Sequence, residues 1–213
     1  MSSDDLACLR GVDTLLVKQK KEMLEILTSW ESNNRFEIKD SEGRTIMYAA
    51  EVTDAGLRCC FGADRPFTID MLSAAGKVVM RLQADMDCFG QNVSIQIPPG
   101  VPFANITKEF AFMCPSFNIT DPNNNDAQMF RIDSGMSAAL GAFGSVNFDV
   151  KASDGQTVIG QISKKWSGLV REMFTDADYF GISFPSNMSV LWKAVLLAVL
   201  FHIDMTFYER QNN

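Results

Sequence analysis

With 213 residues, 46% of them hydrophobic and 21% charged, the chain can bury a substantial core and is read most economically as one domain. Its formal charge of −7 works against non-specific attraction to phosphate-rich surfaces, so contact with nucleic acid or anionic lipid would have to be local. Five cysteines (Cys8, Cys59, Cys60, Cys88, Cys114) form no regular framework, and the start MSSDDLACLRG is acidic where a signal peptide is basic and then apolar, so the chain reads as cytosol-facing with reduced thiols. On that reading the sequons at Asn92, Asn105, Asn118 and Asn187 are chance matches.

In chain order, residues 1–11 read as a short extension, and residues 12–30 carry two signals. TLLVKQ opens like a strand, whereas Met23, Leu24, Leu27 and Trp30 in KKEMLEILTSW fit one face of a helix. FEIKDSEGRTIMYAAEV, from Phe36, alternates apolar and polar residues on both sides of a Gly-containing turn, the pattern of a β-hairpin. Segments beginning at Phe67, Phe117 and Phe148 repeat it, each opening Phe-x-Ile or Phe-x-Val and turning at Gly, Asn or Asp. Phe36 to Phe67 and Phe117 to Phe148 are both 31 positions, and Phe36 to Phe117 and Phe67 to Phe148 are both 81, so the pattern repeats as two halves. With connecting strands such as NVSIQI and FGISFP the total comes to roughly ten to twelve strands.

VLWKAVLLAVLFHID, from Val190 to Asp204, is the one strong helix, and only Lys193 and His202 interrupt its apolar surface before Asp204. A helix apolar all round lies in lipid or inside protein. Its apolar part is about 14 residues, or roughly 21 Å at 1.5 Å per residue, against about 30 Å of hydrocarbon. That length favours enclosure by the strands, with Leu196 and Phe201 in the core. A tilted or bilayer-thinning insertion with Lys193 and Asp204 at the ends stays open.

The stretches ESNNRFEIKDSEGRTIMYAAEVTD, CCFGADRPFTIDML, IPPGVP, GQISKKWSGLVREMFTDADYFGISFP and KAVLLAVLFHID, in this order over nearly the whole chain, resemble the phospholipid scramblase family. The resemblance implies a mainly β, tubby-like fold: a closed barrel of about 12 strands with a pseudo-two-fold repeat around a buried apolar C-terminal helix. It implies a single domain over residues 1–213, with the barrel at about 12–188 and the helix at 189–208.

For function, the resemblance implies bidirectional movement of membrane phospholipids between leaflets without ATP when calcium binds, at the cytoplasmic face of a membrane, most readily the plasma membrane. The family's calcium loop corresponds to DADYFGISFPSN, where Asp176, Asp178, Gly181 and Asn187 stand at positions 1, 3, 6 and 12 of an EF-hand comparison. Phe180 and Phe184 supply no side-chain oxygen and Asn187 replaces the bidentate carboxylate, so Ca²⁺ affinity is expected to be weak, on the order of 10⁻⁴ to 10⁻³ M. The two aspartates serve equally well to cap the turn into FGISFP.

Departures from the family pattern bear on membrane attachment. The Pro-rich tail of many members is missing, and their palmitoylated cysteine-rich run is reduced to Cys88 in DMDCFGQNV, so stable attachment would need help from Cys59 and Cys60 or from the helix. Lys164, Lys165 and Trp166 correspond to the family's nuclear-import segment and would account for a nuclear pool; a strand with one solvated face also explains them. His202 has no evident Ser or Cys partner and reads as a core residue that finds a hydrogen bond. No catalytic constellation is expected, and no specific nucleic acid. Two functions follow: a lipid translocator, or a membrane-associated or nuclear module that binds lipid or protein without moving lipid.

Overall fold

The structure, a computed structural model, describes residues 5–20, 34–52, 66–87, 90–109, 115–134, 147–164 and 179–207. Twelve strands form one closed barrel: β1 (Thr14–Lys20), β2 (Arg35–Asp40), β3 (Thr45–Glu51), β4 (Phe67–Ser73), β5 (Val78–Asp87), β6 (Gly90–Gln96), β7 (Pro102–Glu109), β8 (Ser116–Asp121), β9 (Ala127–Ser134), β10 (Asn147–Lys151), β11 (Val158–Lys164) and β12 (Tyr179–Ser183). Each pairs antiparallel with its neighbours in sequence, and β1 closes the ring on β12 through Thr14 opposite Ser183 and Val17 opposite Phe180. Closure leaves no sheet edge unpaired. The strand signal in TLLVKQ is therefore the one realised between residues 14 and 20, while Met23 to Trp30 lie outside the described residues.

The predicted duplication is built into the barrel. Phe36 and Phe117 lie six strands apart on β2 and β8, and both strands bulge after the isoleucine two positions on, at Ile38/Lys39 and Ile119/Thr120. Both end in an aspartate whose Oδ1 accepts the backbone N–H two residues later, Asp40 from Glu42 at 3.0 Å and Asp121 from Asn123 at 2.8 Å. Such Asx turns shape the hairpin without help from the rest of the fold. Phe67 and Phe148 open the equivalent hairpins on β4 and β10, and all four phenylalanines are buried.

Strand side chains alternate in direction, so one face of every strand points into the lumen. An eight-strand barrel is just filled by such side chains, whereas twelve strands enclose more space than they can reach across. The helix α1 (Val190–Phe207) occupies it, and every residue from Lys193 to Ile203 is buried. Strand and helix side chains form one core, in which Phe36 meets Phe201 edge-to-face at 5.1 Å. The apolar run is thus the filling of the barrel, and among the described residues no helix is long and apolar enough to cross a membrane, a statement that does not bear on strands.

One detail differs from the sequence reading and a second adds to it. Residues 5–11, expected as an extension, form a 3₁₀ turn (Ala7–Leu9) that seats Leu6 and Leu9 in the core. Gly160 on β11 also has a steric role: a Cβ there would stand 2.0 Å from the carbonyl oxygen of Ser183. The backbones approach this closely where β12 ends and the chain turns towards the helix. Gly160→Ala is expected to lower the free energy of unfolding by more than about 3 kcal/mol in urea titration.

Candidate functional site

The helix and the mouth through which it enters the barrel bring together four of the sequence-predicted residues: Lys193, Leu196, Phe201 and His202. Ser189 caps the helix, its Oγ accepting the Trp192 N–H at 3.4 Å and its carbonyl accepting the Lys193 N–H at 3.1 Å. One turn in, the Trp192 ring packs on Phe103 and Phe130, with centroids 5.2 and 5.4 Å away.

Lys193 is wholly buried, at 0% exposure, and its ammonium stays inside rather than reaching for water. Nζ donates to the carbonyls of Val12 at 2.6 Å, Ser186 at 2.7 Å and Leu9 at 3.2 Å, which uses all three of its hydrogens. The ring of Phe184 lies 5.5 Å away on another side. Burial pushes the ammonium below the ordinary lysine value, and the charge of Asp13 works in the opposite direction. The acceptors are backbone atoms from two distant stretches of the chain, so a scan of side-chain types does not find them. The apolar pair Leu6 and Leu9 in DDLACLRG was the available signal that this segment packs inward.

His202 sits near the other end of the lumen. Its ring stacks beside Phe67 at 6.2 Å and meets Phe117 edge-on at 5.3 Å, so two of the repeated phenylalanines enclose it. The expected hydrogen bond is missing at one nitrogen: Nδ1 is buried with no partner among the described residues. Burial, with a smaller contribution from the charge of Lys108, lowers its pKa to about 4, and the ring is neutral at pH 7.

The remaining predicted residues do not assemble. Gly181 is buried in the middle of β12, opposite Leu16 on one side and Ser163 on the other, and Asn187 is exposed in the turn beyond it. The sixth position of the EF-hand comparison is thus extended strand, and nine of the twelve residues of DADYFGISFPSN are described. Asp176, Asp178, Cys59, Cys60, Cys88, Lys165 and Trp166 lie outside the described residues, and Lys164 ends β11 opposite Phe180. Among the described residues no three His, Cys, Asp or Glu side chains are placed to hold a metal, and Cys8 is a free thiol whose pKa burial raises.

The histidine makes stability depend on pH. Its folded pKa lies below the unfolded value near 6.5, so the unfolded chain takes up a proton first as pH falls. Unfolding free energy is expected to be independent of His202 above about pH 6.5. Between that value and about pH 4 it should drop at up to about 1.4 kcal/mol per pH unit, on the order of 3 kcal/mol in all. His202→Phe should flatten this part of the stability profile measured by denaturant titration.

A profile of the family described as Scramblase matches residues 1–210. Phospholipid scramblase 1 of Mus musculus is 40% identical over 215 residues, which cover 98% of this chain and 65% of that protein. Phospholipid scramblase 2 of Bos taurus is 40% identical, covering 96% of this chain and 71% of the relative. Phospholipid scramblase family member 5 of Homo sapiens is 32% identical over 96% of this chain and 77% of its own length. The chain thus spans about 65% of the length of the mouse relative. A solved X-ray structure of a protein from Arabidopsis thaliana, 12% identical, superposes with a TM-score of 0.55 over 94% of this chain and 96% of that one, a likeness of fold alone, the tubby-like barrel. On the strength of the family match and these relatives, the chain belongs to the phospholipid scramblase family.

Proposed function

We propose that this protein moves phospholipids between the leaflets of a membrane, in both directions and without ATP, in response to calcium, working from the cytoplasmic face of the plasma membrane. The observation that carries the reading is family membership over residues 1–210, a span that takes in the whole barrel and its helix. The geometry narrows the route. The lumen is filled by α1 and apolar strand side chains, and a charged headgroup passing through it would lose its hydration with nothing to replace it. Lipid therefore crosses along the outside of the barrel, through bilayer that the protein thins or perturbs, or after the helix has moved. Acylation of Cys88 together with Cys59 or Cys60 belongs to the same proposal, since one acyl chain holds a protein only marginally to a bilayer and two hold it stably.

A second reading, a membrane-associated or nuclear module that binds lipid or protein without translocating lipid, is favoured by the enclosure of α1, which gives the described chain the character of a barrel with a filled interior. Reconstitution separates the two. Full-length protein in liposomes at a few copies per vesicle is expected to abolish the leaflet asymmetry of a fluorescent phospholipid on addition of millimolar Ca²⁺ and no nucleotide; rates equal to those of empty vesicles would leave the binding module. Asp176→Ala is expected to weaken the calcium response in the same assay, and an undiminished response would place calcium elsewhere.

A further inference from the structure

The first described residues cross the mouth where the helix enters, and their attachments are of several kinds. The Asp5 carboxylate accepts a hydrogen bond from Lys77 at 2.7 Å in the turn between β4 and β5. Leu6 and Leu9 are seated in the core at 2% and 0% exposure. The carbonyls of Leu9 and Val12 take two of the three Lys193 hydrogens, and the carbonyl of Asp13 accepts the Phe184 N–H at 2.9 Å. Residues 5–13 therefore hold the helix through the same ammonium that the helix would have to bring out of the barrel.

We propose that residues 5–13 are a strap latched to Lys193, and that unlatching it frees α1 to present its apolar surface to a lipid bilayer. With the strap in place the ammonium has its full set of acceptors. Without it, only the Ser186 carbonyl and the Phe184 ring remain. A buried ammonium that loses its acceptors costs far more than the bonds themselves. The least costly relief is for the first turn of the helix to move outward until the charge reaches water, which also takes Trp192 away from Phe103 and Phe130. Strap and helix thus leave together. Once outside, a helix apolar all round has no aqueous resting place and partitions to a lipid surface. The strap acts as an autoinhibitory contact that keeps a lipid-seeking element folded away. This inference rests on the reading of the protein as one that works on membranes, but the latch itself is tested in solution.

The test is hydrogen exchange of the full chain followed by mass spectrometry, comparing wild type, Leu6→Ala/Leu9→Ala, Lys193→Met and the triple variant. Emptying the strap's two core seats is expected to speed exchange of the peptide covering residues 190–207 by about tenfold or more while peptides from β5 to β9 keep their protection. In the Lys193→Met background the same two substitutions should have a much smaller effect, because no ammonium then needs to reach water. Flotation with phosphatidylcholine–phosphatidylserine vesicles should rise in the strap variant and not in the triple variant. Three results would overturn the latch: no change in α1, strands opening in parallel with it, or an equal effect with and without Lys193. Leu6→Ala alone carries the same prediction at smaller size should the double variant not accumulate as folded protein. Because exchange is read without lipid, loss of lipid transport in the reconstitution assay would leave the latch intact, and the reverse holds as well.

Discussion

A twelve-strand barrel has an interior that its own side chains cannot fill, and the rest of this molecule follows from how that space is occupied. An α-helix with its side chains is about 10–12 Å across, and α1 supplies a body of that width with apolar side chains in every direction. The strand side chains reach inward to meet it, and the four repeated phenylalanines are buried in the barrel wall, three of them in ring contact with Phe201 or His202. Removing the helix would leave a wide apolar void rather than a small cavity, so its departure is opposed by the apolar surface buried on both helix and strands.

The two polar groups that the helix brings inside are handled differently. Lys193, one turn from the mouth, is met by three carbonyls of the surrounding chain, so its hydrogen bonds fix where the helix begins. His202, near the far end, stays neutral between two phenylalanines and keeps one nitrogen without a partner among the described residues. A leucine in either position would pack more cheaply, and buried polar groups of this kind set register and location more than they add stability. The cationic end of the helix is held and the imidazole end is merely tolerated, which identifies the Lys193 end as the one whose attachments decide whether α1 stays.

Much of this was legible in the sequence because it rests on periodicity. Alternation from Phe36, Phe67, Phe117 and Phe148, with the 31- and 81-residue spacings, gave the hairpins and their duplication, and the same offset reappears in the Asp40 and Asp121 turns. The shortness of the apolar run favoured an enclosed helix over a spanning one, and burial from Lys193 to Ile203 bears that out. What the sequence did not disclose is made of backbone. The carbonyls of Leu9, Val12 and Ser186 belong to residue types that carry no signal for binding an ammonium, and they meet only after the chain has closed. Gly181 illustrates the converse: its position in DADYFGISFPSN reads as the turn of an ion loop, yet pairing with β1 and β11 makes it the centre of a strand. The carboxylates and cysteines of the sequence reading lie outside the described residues, so the fold supplies the frame of the candidate site more fully than its chemistry.

For the proposed lipid movement, a filled lumen leaves two routes, the outer surface of the barrel or displacement of the helix. Both alternatives start from the same enclosed state, and its direct measure is proximity inside the barrel. Nuclear Overhauser contacts in the full-length chain in aqueous buffer are the measurement: ring protons of Phe36 should show them to Phe201, whose centroid is 5.1 Å away, and Phe117 should show them to His202 at 5.3 Å. Absence of both, with α1 protons contacting only added detergent or lipid chains, would contradict the enclosed helix and everything built on it.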